Sequence, residues 1–115
     1  MTLTTERVRE RAVRQPGRAR VRFDRGRGQA TVVATGDVDA STTHALAAAI
    51  RSVAMHDVRV DLSAVEFFGV SGLRAIGDGA RSCERRGGRL VVSCASPPIR
   101  RLFSLADLER LLSPP

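Results

Sequence analysis

Residues Val65 to Ala80 read VEFFGVSGLRAIGDGA, and how this stretch is divided decides the fold. An apolar run ends at Gly69, a lone serine follows at Ser71, and from Leu73 the apolar residues Leu73, Ile76, Ala80 and Cys83 recur on one face of a helix. Upstream, Val58 to Val65 (VRVDLSAV) alternates Val58, Val60 and Leu62 and predicts a buried strand. Strand, turn and helix therefore meet at Ser71.

Working outward, GDVDASTTHALAAAIRSVAM offers Asp39, Ser41 and Thr42 as N-caps. Ala45, Leu46, Ala49, Ile50 and Val53 then predict an amphipathic helix to about Ala54. ARVRF and QATVVATG have period two and are separated by Asp24 to Gly28, so a hairpin is expected, with Phe23 in the core. Downstream, the Leu73 helix should stop at Arg85-Arg86-Gly87-Gly88, where cations precede glycines. RLVVSC predicts a further strand, and Ser96-Pro97-Pro98 opens a short helix carrying Ile99, Leu102 and Phe103. The tail LADLERLLSPP suits one more turn or an edge strand. The order β-β-α-β-α-β-α predicts one α/β domain, a mixed sheet of four to five strands with about three helices packed on it.

Composition limits the chemistry. A chain of 115 residues supports one domain. All nineteen basic residues are arginine, so no lysine is present for a Walker A loop, a Schiff base or a kinase of the usual type. Nine arginines in residues 1–29 face only Glu6, Glu10 and Asp24, a net charge of +6, whereas residues 30–115 carry +1. The basic character belongs to an N-terminal arm, residues 1–17, which precedes a domain at residues 18–115. With one aromatic in residues 1–29, Phe23, a base-stacking platform is missing and no direct nucleic-acid partner is expected. No apolar run approaches a membrane span and no signal-peptide core is present, so a cytoplasmic protein without a membrane partner is expected. Cys83 and Cys94 are expected to be reduced thiols in or near the core, too far apart to pair. They and His44 and His56 have no metal-ligand spacing. No cofactor is implied.

Ser71 allows several readings. Serine is a good N-cap, and its hydroxyl could accept from the N–H of Leu73 or Arg74. A hydrolase elbow would need Gly-x-Ser-x-Gly, but Leu73 stands at the last position and no histidine base has an orienting partner. An exposed hydroxyl at a helix start could also be phosphorylated, adding about −1.5 to −2 charges that the helix dipole tolerates and a docked partner would not.

In these residues the sequence resembles the STAS domain of anti-sigma factor antagonists. ATGDVDAST, with Gly36, Val38 and Asp39, is similar to that family's Gly-Glu-Leu-Asp segment, VRVDLSAVEFFGVSGL to its strand and switch loop, and RRGGRLVVSCASPPIRRLFSLADL to its closing strand and helix. The resemblance implies partner switching by a non-enzymatic regulator. The dephosphorylated domain binds an anti-sigma factor of histidine-kinase-like ATPase fold and frees the sigma factor, a serine kinase activity of that partner or a related one ends the complex, and a phosphatase would restore it. It places the phosphoacceptor at Ser71 and the partner contacts at Asp37, Asp39, Gly69, Val70, Ser71, Gly72 and Arg74. A monomer or weak dimer is expected. The family's Asp-Ser before the acceptor is replaced here by Gly69-Val70, which leaves open an unphosphorylated STAS scaffold in a transport or sensory complex.

Overall fold

The computed structural model describes residues 17–24, 27–53 and 56–114. The expected arm, residues 1–17, lies outside them except for Gly17. Strands β1 (Arg18–Asp24) and β2 (Gln29–Thr35) form the antiparallel hairpin. Helix α1 (Thr43–Val53) leads to β3 (Asp57–Ala64), helix α2 (Val70–Arg85) to β4 (Leu90–Ser93), and helix α3 (Pro97–Leu105) to a 3-10 turn at Glu109–Leu111. The sheet order is β1-β2-β3-β4, with β2, β3 and β4 parallel. The tail does both things expected of it, since Leu112 also bridges to Val92 beside β4.

The core lies between one face of the sheet and the helices. Ala30, Val32, Ala34, Val58, Val60, Leu62, Leu90 and Val92 project from the strands, and Leu46, Ile50, Val53, Leu73, Ile76, Ala80, Cys83, Ile99 and Phe103 meet them from the helices. Each such valine, leucine, isoleucine or phenylalanine contributes about 1.5–3 kcal/mol through the area it removes from water. Phe68 stacks on Phe103 with ring centroids 5.9 Å apart, closing the end of the core beneath the start of α2.

Two expectations for the core fail. Phe23 is 58% exposed. It pairs with Ala30 at the turn end of β1, an edge strand, and the His56 ring meets it edge-on at 5.4 Å. Cys94 is also exposed, because the chain turns outward there with φ +61° as it leaves β4. Cys83 is buried, and both thiols are free. Burial, with Asp57 and Glu84 nearby, pushes the Cys83 thiol above its ordinary pKa.

Helix α2 approaches α1 closely at one glycine. A Cβ on Gly79 would stand 2.5 Å from Cγ2 of Ile50, whereas one on Gly77 would make ordinary contacts, with Leu108 Cδ1 at 3.7 Å and Arg81 Nη1 at 3.9 Å. Glycine in a helix interior costs about 1 kcal/mol against alanine, so its presence at position 79 reflects the packing and at position 77 does not.

Two thermal melts test this packing. Gly79→Ala should lower stability by about 1–3 kcal/mol through overpacking, while Gly77→Ala should raise it by up to about 1 kcal/mol. Alkylation of the native protein should label Cys94 and spare Cys83.

Candidate functional site

Helices α1 and α2 both start at the carboxyl ends of the parallel strands, where open α/β sheets place their ligand and partner sites. Two backbone hydrogen bonds bring these starts together. The Val38 N–H donates to the Phe67 carbonyl at 2.8 Å, and the Gly69 N–H donates to the Val38 carbonyl, also at 2.8 Å. A third link runs directly between the helices, from the Thr43 hydroxyl to the Ser71 carbonyl at 3.3 Å. The loop of Asp37 and Asp39 is thereby fixed beside Gly69, Val70, Ser71 and Gly72.

The N-terminal side of this site is held by Asp39. Its carboxylate accepts from the Ser41 hydroxyl at 2.7 Å, the Ser41 N–H at 2.9 Å and the Thr42 N–H at 3.2 Å. These bonds, the Ser41 hydroxyl first among them, hold the carboxyl below its ordinary pKa. The Thr42 hydroxyl donates to the Asp37 carbonyl at 2.7 Å and accepts from the Asp39 N–H at 3.1 Å. Asp37 itself is buried, so it supports the loop from beneath and presents little surface. Gly17 leads the chain into β1 at this same place, since a Cβ on it would stand 2.6 Å from the Asp37 carbonyl oxygen.

On the other side, the capping role open to Ser71 is not the one observed. The N-cap is Gly69, in extended conformation, and no side chain caps α2. Val70 already belongs to the helix, so Ser71 sits two residues past the capping position. Ser71 is half-buried within the first turn, close to the positive end of the helix dipole. Gly72 makes this arrangement possible. A Cβ there would stand 2.7 Å from the Phe68 ring and 2.9 Å from Val38 Cγ1, so only glycine lets α2 begin this close to the Val38 loop. Val70 is 69% exposed and Phe67 38%, which gives the rim of the site an apolar character. Arg74 is exposed one turn further along α2.

The residues picked out in the sequence thus converge, with Asp37 and Gly72 buried beneath the surface, contrary to their expected place as contacts, and the others on or near it. Thr43, Phe67 and Val38 were not among them. Thr43 acts through its own hydroxyl, which donates to a carbonyl 28 residues away in sequence, and Val38 and Phe67 act through their backbone, which residue identity does not signal. Among the described residues no group of acidic, histidine or cysteine side chains could hold a metal ion, and no helix is long and apolar enough to cross a membrane.

Comparison with known proteins agrees with this geometry. A family model described as "Mlab, STAS domain" matches residues 21–113. An anti-sigma factor antagonist from Mycobacterium paratuberculosis is 29% identical with a TM-score of 0.75, over 86% of this chain and 86% of that one. The anti-sigma factor antagonist SpoIIAA, from Bacillus, in its unphosphorylated form is 17% identical with a TM-score of 0.72, over 83% of this chain and 85% of that one. The murine anion transporter Slc26a9 contains a similar fold, with a TM-score of 0.64 and 12% identity over 98% of this chain and 23% of the transporter. A search of curated protein sequences found no match.

The Asp39 network makes a pH-dependent contribution. Because the folded carboxyl has the lower pKa, its stabilisation is present above the unfolded value and is lost as pH falls through the folded one. Asp39→Asn should therefore melt a few degrees below wild type near pH 7, and the gap should narrow below about pH 4. A gap that does not change with pH would assign the loss to shape instead of charge.

Proposed function

The chain belongs to the STAS domain family, and from that premise we propose that it is an anti-sigma factor antagonist. In this reading it binds an anti-sigma factor with a serine kinase of histidine-kinase-like ATPase fold, and the sigma factor is released. The domain occupies residues 18–115, with residues 1–17 as a separate arginine-rich arm. It is a binding protein without catalysis or cofactor. Asp39, Gly69, Val70, Ser71 and Arg74 make the contact surface, and Asp37 and the buried Gly72 shape it from below.

The observation that carries this reading is Ser71, half-buried in the first turn of α2 with a hydroxyl that has no capping duty. Phosphorylation there adds about −1.5 to −2 charges. The helix start favours a negative charge, so the domain keeps its fold, while a partner seated on Val70 and Arg74 loses its contact. A phosphatase would reset the switch. The relative SpoIIAA is known in unphosphorylated and phosphorylated forms. The Mycobacterium antagonist, at 29% identity, also supports the reading.

A second reading is favoured by one local feature. Val70 is a large exposed apolar residue immediately before the acceptor, where the resemblance leads one to expect serine. A permanently apolar rim suits a scaffold subunit of a transport or sensory complex, in which Ser71 is never modified.

Affinity capture from the native cell extract separates the two. With wild-type and Ser71→Glu chains as parallel baits, the antagonist reading expects an ATPase-fold anti-sigma factor on the wild type. On the glutamate form it should be weakened at least about tenfold, or ~1.4 kcal/mol. The melting midpoint of the glutamate form should stay within a few degrees of wild type. Equal retention of one partner by both baits would support the scaffold.

A further inference from the structure

Strand β1 lies at one edge of the sheet among the described residues, so every second backbone N–H and C=O along it points away from β2. Its two faces differ sharply in chemistry. On the face away from the helices, Arg18, Arg20 and Arg22 pair in register with Thr35, Val33 and Thr31, and Arg59 follows on β3 beyond Thr31. All four arginines are exposed, and none of them has an ion pair or hydrogen-bonding side chain. Of the acids at this end, Asp24 is paired with Arg27, and the Asp57 and Asp61 carboxylates accept backbone N–H groups of Arg89 and Ser63. On the opposite face Ala19 and Val21 are only half-buried, and Phe23 is 58% exposed.

Two anomalies therefore share one strand. A row of unpaired cations, spaced about 7 Å apart along the strand, stands on one side of this edge, and on the other stands an apolar row that is only partly covered and ends in the exposed Phe23. We propose that β1 is a strand-addition edge that receives an extended segment of a protein partner in which acidic and apolar residues alternate. Main-chain hydrogen bonds to the free edge supply affinity. The acidic side chains fall beside Arg18, Arg20 and Arg22, and the apolar ones continue the row of Val21 and Phe23. A second copy of β1 is the wrong occupant, because pairing the two strands would set arginines against arginines. Nucleic acid fits poorly, since the arginine face carries no aromatic side chain on which a base could stack. This surface is separate from the helix starts and does not depend on what binds there.

The test uses the full chain, labelled for amide NMR and hydrogen exchange, and two peptides of the same composition. In one peptide glutamate and valine alternate; in the other they are segregated into blocks. The alternating peptide should bind and slow exchange of the outward amides of β1, and it should bind about tenfold more tightly than the blocked one, the size expected from one or two ordered ion pairs. Arg20→Glu with Arg22→Glu should remove that preference, and Phe23→Ser should weaken it. Equal binding of the two peptides, binding that leaves β1 exchange unchanged, or no binding would each overturn the proposal. The arginines would then serve only to keep an edge strand from pairing.

Discussion

Two hydrogen bonds of 2.8 Å, exchanged by Val38 with Phe67 and Gly69, are the constraint on which the rest of the site depends. They join the segments that leave β2 and β3, and so set where α1 and α2 begin. Once joined, these segments leave no room for a side chain at position 72, where a Cβ would meet the Phe68 ring at 2.7 Å. The glycine after Ser71 is thus a packing requirement first. Its consequence for function is that α2 starts at Gly69, and Ser71 is carried into the first turn with its hydroxyl free of capping.

The same geometry explains how a local charge could act on a partner without passing through the core. Beneath the helix starts lie Val38, Phe68 and Phe103, all buried, with the two rings stacked. Above them the Asp39 network fixes the neighbouring loop by three hydrogen bonds to Asp39 Oδ1, from the N–H and hydroxyl of Ser41 and the N–H of Thr42. A charge placed at Ser71 meets a rigid floor and an open top, so its effect is felt by whatever docks there. The arginine row on β1 is a different kind of surface, offering a free backbone edge between a cationic and an apolar row.

Most of the fold was legible because it rests on periodicity. The alternation of Val58, Val60 and Leu62 and the helical recurrence of Leu73, Ile76, Ala80 and Cys83 each bury the side chains they predict. Phe23 and Cys94 were misjudged for a common reason. Each is apolar and lies at the end of a strand, but burial there depends on how far the helix layer extends, which is a tertiary property. The site was legible in its residues and less so in its roles. A serine two positions before a helical pattern resembles a cap, and only the backbone angles of Gly69 show that the helix has already begun. The link from Thr43 to Ser71 spans two helices, and no local pattern announces it.

The central claim is that charge at Ser71 changes the surface and leaves the fold alone. Its most direct measurement is a comparison of amide NMR spectra of the unmodified chain and a chain carrying phosphoserine at position 71. Shifts confined to residues 36–43 and 66–75, with the amides of β2, β3 and β4 unmoved, are the expected result. Shifts spreading through the sheet, or collapse of dispersion, would contradict the account, because the phosphate would then be acting through the core.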